Sequence, residues 1–206
     1  PREKQAGPMS VSLPTLPDLV QASARLVDCQ SVLTPILGGP VQTIQRLGAR
    51  FAVDVTLPPL EPKDAARFLA ARMKARAEND TLTLAWPQAE IWSVIGGAPV
   101  VNGAGQAGAR LNISGLTAGQ VIPAGRFFSF TAGGRSYLHV TTLEVTANGA
   151  GQVQLHVAPL LRATPPNGAA LNFSAPIVEG LLTGAVEWSL ERLRWTSTAF
   201  TLSENA

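Results

Sequence analysis

The glycine pattern at residues 103–108 is the part of the sequence that looks most like a cofactor-binding motif. It reads Gly-Ala-Gly-Gln-Ala-Gly and matches the G-x-G-x-x-G fingerprint of dinucleotide-binding proteins. That chemistry needs a helix directly after the glycines, to hold the pyrophosphate, and an acidic residue about 20 positions later for the ribose. Gly115, Gly119 and Pro123 interrupt any helix there, and the next acid is Glu144. The pattern therefore predicts turns, and we expect no cofactor.

Two histidines on neighbouring predicted strands have the residue type for a zinc site or a general base. His139 and His156 are the only histidines of the chain. Whether they share a face depends on the strand register, which a shift of one residue reverses. Only Glu144 could orient them from within residues 96–175, because that stretch contains no Asp or Cys. We expect both histidines to be structural and predict no metal-binding residue.

The other groupings of reactive side chains have even less support. A Ser–His–Asp triad would need its Asp from outside residues 96–175, and the G-x-S-x-G nucleophile motif does not occur. Glu179, Glu187 and Glu191 are possible paired carboxylates for glycoside hydrolysis, but their strand-like spacing favours a solvated face. Cys29 is the only cysteine, which excludes a disulfide within the chain. We predict no catalytic residue and no enzymatic activity.

Alternating apolar residues predict two strands, one before and one after a single helix. The runs 51–57 and 82–86 both alternate with a period of two, and each stops at proline, the first at Pro58. Pro62 suits the first turn of a helix that should end near Asn79. The predicted apolar stripe of this helix is Ala65, Phe68, Leu69 and Met73. Its basic residues, such as Lys63 and Arg67, are expected on a solvated face.

Residues 96–175 form a glycine-rich stretch with few charges. Its charged residues are Arg110, Arg126, Arg135, Glu144 and Arg162. Strand-like runs at 126–131, 135–145 and 152–160 are separated by Gly133-Gly134 and Asn148-Gly149, which are typical of hairpin turns. We predict an inserted small antiparallel β-module here, built as a barrel or a small sandwich.

The flanking pieces are predicted to form one discontinuous domain. Alternation returns after Pro176, at residues 186–190 and 198–202, so strands should close the framework. The predicted fold class is mainly β, with a β-sandwich framework of residues 1–95 plus 176–206 that contains the single α-helix. The proline-rich arm at 1–18 is expected to be extended and could reach a neighbouring subunit.

Composition excludes several classes of protein. Hydrophobic residues make up 46% of the chain, which argues against intrinsic disorder, and a net charge of +2 gives no basic field for sequence-specific DNA binding. Charged residues make up only 15%, which indicates a surface that partners cover. The chain has no apolar run of about 20 residues, so we expect no membrane insertion. Its first residues lack a signal sequence, so we expect synthesis in a cytoplasm.

Several segments resemble proteins of viral tails. The segments that carry the resemblance are APVVNGAGQAG at 98–108, ANGAG at 147–151, PLLRATPP at 159–166, TLPPL at 56–60 followed by DAAR at 64–67, and the closing residues 195–202. Their order is similar to that of distal tail proteins, the baseplate or tail-tip ring proteins of long-tailed bacteriophages and related gene-transfer particles. Ala147 departs from this pattern, because an acidic residue is usual there, and the proline-rich arm is atypical.

The resemblance implies a structural virion protein with no catalysis. Such proteins typically form homohexameric rings at the distal end of the tail tube and link the tube to the tail tip or baseplate. The implied partners are further copies of the chain, the tail tube protein, and hub or tip proteins, with DNA passing non-specifically through the channel. The implied location is the virion tail, assembled in the cytoplasm of the bacterial host.

A carbohydrate-binding adsorption module of a tail tip is the alternative. Aromatic side chains on a β-module can stack against sugar rings, and the inserted module carries aromatic residues such as Phe127 and Tyr137. Adjacent Phe127 and Phe128 should point to opposite faces of a strand, which leaves one of them available for an interface.

Overall fold

A computed structural model describes residues 10–15, 21–36, 38–44, 46–88, 91–184, 186 and 196–204. Within these ranges the chain has sixteen strands and one helix, so the predicted mainly β fold class is confirmed. In chain order they are β1 (Ser10–Ser12), β2 (Gln21–Val27), β3 (Ser31–Leu33), β4 (Gln42–Ile44), β5 (Arg50–Leu60), α1 (Pro62–Glu78), β6 (Thr81–Ala85), β7 (Gly97–Val101), β8 (Gly108–Leu116), β9 (Val121–Ile122), β10 (Phe127–Ala132), β11 (Arg135–Thr141), β12 (Val145–Thr146), β13 (Val153–Leu161), β14 (Leu171–Asn172), β15 (Ile177–Thr183) and β16 (Thr196–Glu204).

The chain divides into two compact units. The first takes its described residues from 10–25, 52–87 and 177–204, and the second from 26–51 and 88–176. The whole of residues 96–175 lies in the second unit, together with 26–51 and 88–95.

A six-stranded sheet supplies the strands of the first unit. Its spatial order is β1-β6-β15-β16-β5-β2. β1 runs parallel to β6, with Ser10 opposite Thr81, while β6–β15, β15–β16 and β16–β5 are antiparallel. Part of the N-terminal arm thus pairs with this chain's own sheet. The strand predicted at 198–202 is confirmed as part of β16, and the one predicted at 186–190 lies almost wholly outside the described residues.

Strand β5 continues past the two prolines where it was expected to stop. Pro58 and Pro59 lie inside it, and the chain leaves the strand only after Leu60. The register against β16 shifts between Thr196 and Thr198, which face Leu60 and Leu57. Prolines lack a backbone donor and are tolerated in a strand at such irregular positions. The sequence pattern predicted that the strand ends at these prolines, because the irregular register depends on pairing with β16, which is distant along the chain.

The helix is confirmed with the predicted bounds but with a different buried face. It begins at Pro62, and Asn79 ends it in the left-handed conformation. Its buried residues are Phe68, Arg72 and Ala75, which follow one another at helical spacing. Met73 is 40% exposed, so its predicted place in the apolar stripe is wrong. Arg72 takes that place because its guanidinium lies 5.1 Å from the ring centre of Phe200.

The second unit contains a nearly closed six-stranded sheet. Its order is β14-β10-β11-β13-β8-β7. The two ends of the sheet meet, since the Val101 N–H donates to the Ala169 oxygen at 2.9 Å and the Gly168 N–H donates to the Val101 oxygen at 2.8 Å. Buried side chains fill the interior, among them Leu111, Ile113, Phe128 and Leu155. We call this nearly closed sheet the barrel.

The hairpin turn at Gly133-Gly134 is confirmed. Both glycines have positive φ, and Ala132 lies opposite Arg135 where β10 turns into β11. The run predicted at 135–145 is interrupted, because the chain leaves β11 after Thr141 and forms the short β12, which pairs with β9. The main sheet continues with β13, which pairs with β11. The Asn148-Gly149 turn lies between β12 and β13 along the chain.

Two further features complete the description. Strands β3 and β4 form a separate two-stranded antiparallel sheet in the second unit. Over the residues that the structure describes, no helix is both long enough and apolar enough to cross a membrane.

Candidate functional site

His139 lies inside the barrel and is fully buried. It faces Phe128 across the β10–β11 pair and stacks on Phe128 and Phe130, with ring centres 5.9 and 5.2 Å away. Neither ring nitrogen has a hydrogen-bond partner of good geometry. Burial and, to a smaller extent, the charge of Arg162 lower the pKa of His139 to about 3. Backbone groups of Tyr137 and Leu160 act in the opposite direction without offsetting this. The side chain is thus neutral at physiological pH.

His156 lies on the other side of the barrel wall. It is half-buried on β13, opposite Arg110 of β8. Its neighbours Leu155 and Val157 point into the core, so His156 faces outward. The two histidines therefore lie on opposite faces and do not form a common site. Among the described residues, no three His, Cys, Asp or Glu side chains come together as metal ligands.

The glycine pattern forms the loop between β7 and β8. Gly103, Gly105 and Gly108 all have positive φ, and a strand follows them where a nucleotide site requires a helix. The side chain of Gln106 holds the loop together. Its Nε2 donates to the Asn102, Gly103 and Asn112 oxygens at 3.0 to 3.1 Å, and its Oε1 accepts from the Asn112 N–H at 2.6 Å. A glutamine occupies the loop from inside, which makes the pattern structural.

The carboxylates do not form a described pair. Glu179 is buried in β15 and accepts a hydrogen bond from the Thr81 hydroxyl at 2.7 Å. Glu187 and Glu191 lie outside the described residues. The interpretation of these three glutamates as a solvated strand face is wrong for Glu179, whose side chain is buried.

The aromatic side chains of the barrel are turned inward or covered. Phe128, Phe130 and Phe173 are buried, while Phe127 and Tyr137 are half-buried. The Phe127 ring meets Phe51 edge-on, with ring centres 5.7 Å apart, and the Tyr137 ring stacks on Phe130 at the same distance. Within the described part of the barrel, no aromatic ring is exposed as a platform for a sugar.

A shallow groove lined with amide side chains lies on the barrel surface. Its volume is about 240 Å³, and we call it the amide groove: Asn102, Asn112, Asn148, Gln152 and Gln154 over Ile113 and Val153. The Gln154 Nε2 donates to the Asn112 Oδ1 at 2.9 Å, and Arg110 reaches the Gln154 Oε1 at 3.4 Å. The side-chain amides of Asn102 and Gln152 make no hydrogen bond within the described chain. The groove therefore offers uncharged donors and acceptors to a ligand.

The buried side chain of Gln88 connects the two ends of the segment 88–176, which contains the barrel. Gln88 was not predicted from the sequence as an important residue. The Gln88 Nε2 donates to the Phe127 and Phe173 oxygens at 2.6 and 2.8 Å, and its Oε1 accepts from the Phe127 N–H at 3.0 Å. Gln88 begins the segment, and Phe173 lies close to its end at Pro176. Arg126 also holds the entering chain by donating to the Ser93 oxygen at 2.8 Å. Only the position of Gln88 directly after Pro87, at the end of a predicted strand, could have drawn attention to it.

A larger cavity of about 470 Å³ lies beside α1 in the first unit. Pro14, Thr15 and Leu60 line it together with the ion pair of Asp64 and Arg67, whose charged atoms are 3.3 Å apart. Both charged side chains are more than half exposed. An exposed pair of this kind contributes little energy and provides no activated group.

Comparison with models of known protein families and with curated proteins gives no match for this chain.

Proposed function

We propose that this chain is a structural protein of a phage-like tail, which forms a ring at the distal end of the tail tube and links the tube to the tail tip or baseplate. One observation carries the proposal: the barrel segment is inserted between two strands that pair directly in the other unit. β6 and β15 are antiparallel neighbours, with Ala85 opposite Ile177, and residues 88–176 leave and return between them. A framework that accepts a complete β-module at one hairpin matches the domain plan implied by the sequence resemblance.

The low charge of the inserted segment supports an assembly role. Subunits of a ring meet through repeated contacts between different surfaces of identical copies, and such contacts favour faces with few charges. The segment 96–175 has four arginines and one glutamate. In this proposal the first unit forms the ring around the DNA channel, and the barrel meets peripheral tip proteins.

The proposal has a direct biochemical test. The purified chain should form a homohexamer in solution and should bind the tail tube protein of the same particle. Analytical ultracentrifugation measures the first property, and co-sedimentation with tail tubes measures the second. A chain that stays monomeric at high concentration and also fails to bind tubes would contradict the proposal.

Carbohydrate binding by the barrel is a second candidate, and the amide groove favours it. Side-chain amides recognise sugar hydroxyls because each can donate and accept hydrogen bonds in one plane. A glycan array with the wild-type protein should then give a signal that Asn112→Ala with Gln154→Ala removes. Thr131→Ala, an exposed change on β10 of the same barrel, is the control. An array with no bound glycan would count against this candidate.

A further inference from the structure

Three Asn-Gly dipeptides lie outside the strands of the segment 88–176. They are Asn102-Gly103, Asn148-Gly149 and Asn167-Gly168, and all six residues are exposed. In such a dipeptide the backbone nitrogen of the second residue can attack the side chain of the first, because glycine has no side chain to obstruct the approach. Each dipeptide is therefore a candidate for covalent modification.

Deamidation by this route has two balanced steps. The glycine nitrogen loses its proton and bonds to the asparagine Cγ, while the side-chain nitrogen leaves as ammonia, which gives a cyclic imide. Water then opens one of the two carbonyls of the imide, which gives aspartate or isoaspartate. Water is the only co-reactant. A glycine N–H that donates a hydrogen bond must lose this bond before its nitrogen can attack.

The structure distinguishes the three dipeptides by the hydrogen bonds of their glycine nitrogens. The Gly103 N–H donates to the Asn167 Oδ1 at 2.8 Å, and the Gly168 N–H donates to the Val101 oxygen at 2.8 Å. The Gly149 N–H makes no hydrogen bond within the described chain. Attack by the first two nitrogens thus costs a hydrogen bond, whereas attack by the third does not.

The turn between β12 and β13 also places donors beside the side chain that is attacked. The Asn148 Oδ1 accepts from the Ala150 N–H at 3.0 Å and from the Gln152 N–H at 2.9 Å. Negative charge develops on this oxygen when a nitrogen bonds to Cγ, so two backbone donors fixed beside it stabilise the tetrahedral intermediate. The turn itself is held by the Asn148 N–H, which donates to the Gln152 oxygen, and by the Gly151 N–H, which donates to the Asn148 oxygen.

We infer that Asn148 is a site of spontaneous deamidation and that its turn accelerates the reaction through these two donors. Asn148 lines the amide groove, whose lining residues carry no charge. Its conversion to aspartate or isoaspartate places a negative charge there. The turn accommodates the aspartate form, because a carboxylate accepts hydrogen bonds from the same two N–H groups. The inference concerns the barrel alone and holds whether or not the chain forms a ring.

Peptide mass spectrometry of the folded chain, after incubation at mildly alkaline pH, tests the assignment. Trypsin places the three asparagines on different peptides, because arginines lie between them: Arg110, Arg126, Arg135 and Arg162. Each deamidation adds about 1 Da, since a hydroxyl replaces an amine. The Asn148 peptide should convert at least about tenfold faster than the other two. Equal conversion of the three peptides would contradict the inference.

Incubation in guanidinium chloride separates the effect of the fold from that of the dipeptide. All three asparagines precede glycine, so their rates in the unfolded chain should agree within about threefold. The rate at Asn148 in the folded chain should be at least as high as in the unfolded chain, because only the folded turn aligns the two donors. A folded rate well below the unfolded rate would show that the turn protects Asn148, and the inference would be wrong.

Gly149→Ala is the matched variant. A Cβ added at Gly149 would meet no atom within 4 Å, and the φ of this residue is not positive, so the variant should fold like the wild type. Circular dichroism verifies this. The added methyl group obstructs the attack, so deamidation of Asn148 should slow at least about tenfold, while Asn102 and Asn167 keep their rates. An unchanged rate at Asn148 would exclude the Gly149 nitrogen as the attacking group.

Discussion

Two buried polar side chains of the second unit differ in how well they are satisfied. Gln88 uses its amide in three hydrogen bonds to the backbone, whereas the ring of His139 packs against two phenylalanines and its nitrogens have no hydrogen-bond partner of good geometry. A buried polar side chain stabilises the fold when its donors and acceptors have hydrogen-bond partners. A buried polar group without a partner lowers the free energy of unfolding by about 1–3 kcal/mol. Substitution at the two positions should therefore have opposite effects.

Replacing His139 by leucine, of about the same volume, should remove an acid sensitivity of the fold. The pKa of His139 is about 3 in the folded chain and near 6.5, the ordinary value for histidine, in the unfolded chain. Between these values the unfolded chain binds a proton that the folded chain excludes. The free energy of unfolding therefore falls as pH falls from about 6.5 towards 3, by up to about 1.4 kcal/mol per pH unit.

The measurement is urea unfolding of wild type and His139→Leu at pH 7.5 and pH 4.5. The variant should lose much less stability between the two than the wild type, and at pH 7.5 it should be equal or more stable. His156→Leu, on the outer face of the barrel, is the control and should keep the wild-type difference. Equal pH dependence in wild type and His139→Leu would show that the buried histidine is not its source.

Gln88→Ala should lower the free energy of unfolding by about 3 kcal/mol, because three backbone groups lose their partner. Gln88→Glu should be at least as harmful at neutral pH, since a carboxylate would face two carbonyl oxygens. Gln152→Ala, an exposed amide without a hydrogen bond in the described chain, should change little. Chemical denaturation measures all three, and a Gln88→Ala variant as stable as Gln152→Ala would refute the assigned role.

At the scale of elements, local patterns predicted most of the regular structure. The period-two runs, the Pro62 start, the Asn79 stop and the Gly133-Gly134 turn follow from rules that act within a few residues. The failures depended on distant residues. Arg72 is buried because Phe200 receives it, and Pro58-Pro59 remain in a strand because β5 bulges there in its pairing with β16. Neither partner is visible from the helix or strand itself.

The candidate site was less predictable for the same reason. The prediction of turns at the glycine pattern is confirmed, and the histidine register was left open, but neither the amide groove nor Gln88 could be found from the sequence. The groove combines residues from the loop after β7, the strands β8 and β13, and the turn before β13, which only the barrel brings together. Exposed Asn and Gln have no spacing signal of their own.

Gln106→Ala should loosen the loop between β7 and β8 without unfolding the barrel. The change removes four hydrogen bonds, including that from the Asn112 N–H. Hydrogen exchange at Asn112 should accelerate, with a local cost of about 1–3 kcal/mol. Gln154→Ala, a neighbouring amide that makes no bond to the loop backbone, is the control. Unchanged exchange at Asn112 in Gln106→Ala would contradict the assigned role of this side chain.

At the scale of the whole molecule, several features of the chain favour the proposed role in an assembly. The chain has few charges, exposed large apolar side chains between Leu26 and Leu47 among its described residues, and a barrel inserted between two paired strands. Repeated contacts around the proposed ring would cover surfaces with few charges.

The measurement that tests this most directly is the mass of the purified chain in solution, by light scattering and native mass spectrometry over a range of concentrations. We expect a closed homohexamer of the 21.6 kDa polypeptide. It should dissociate on dilution and should not form larger open oligomers. A strict monomer at high concentration, with no binding to tail tubes, would contradict it.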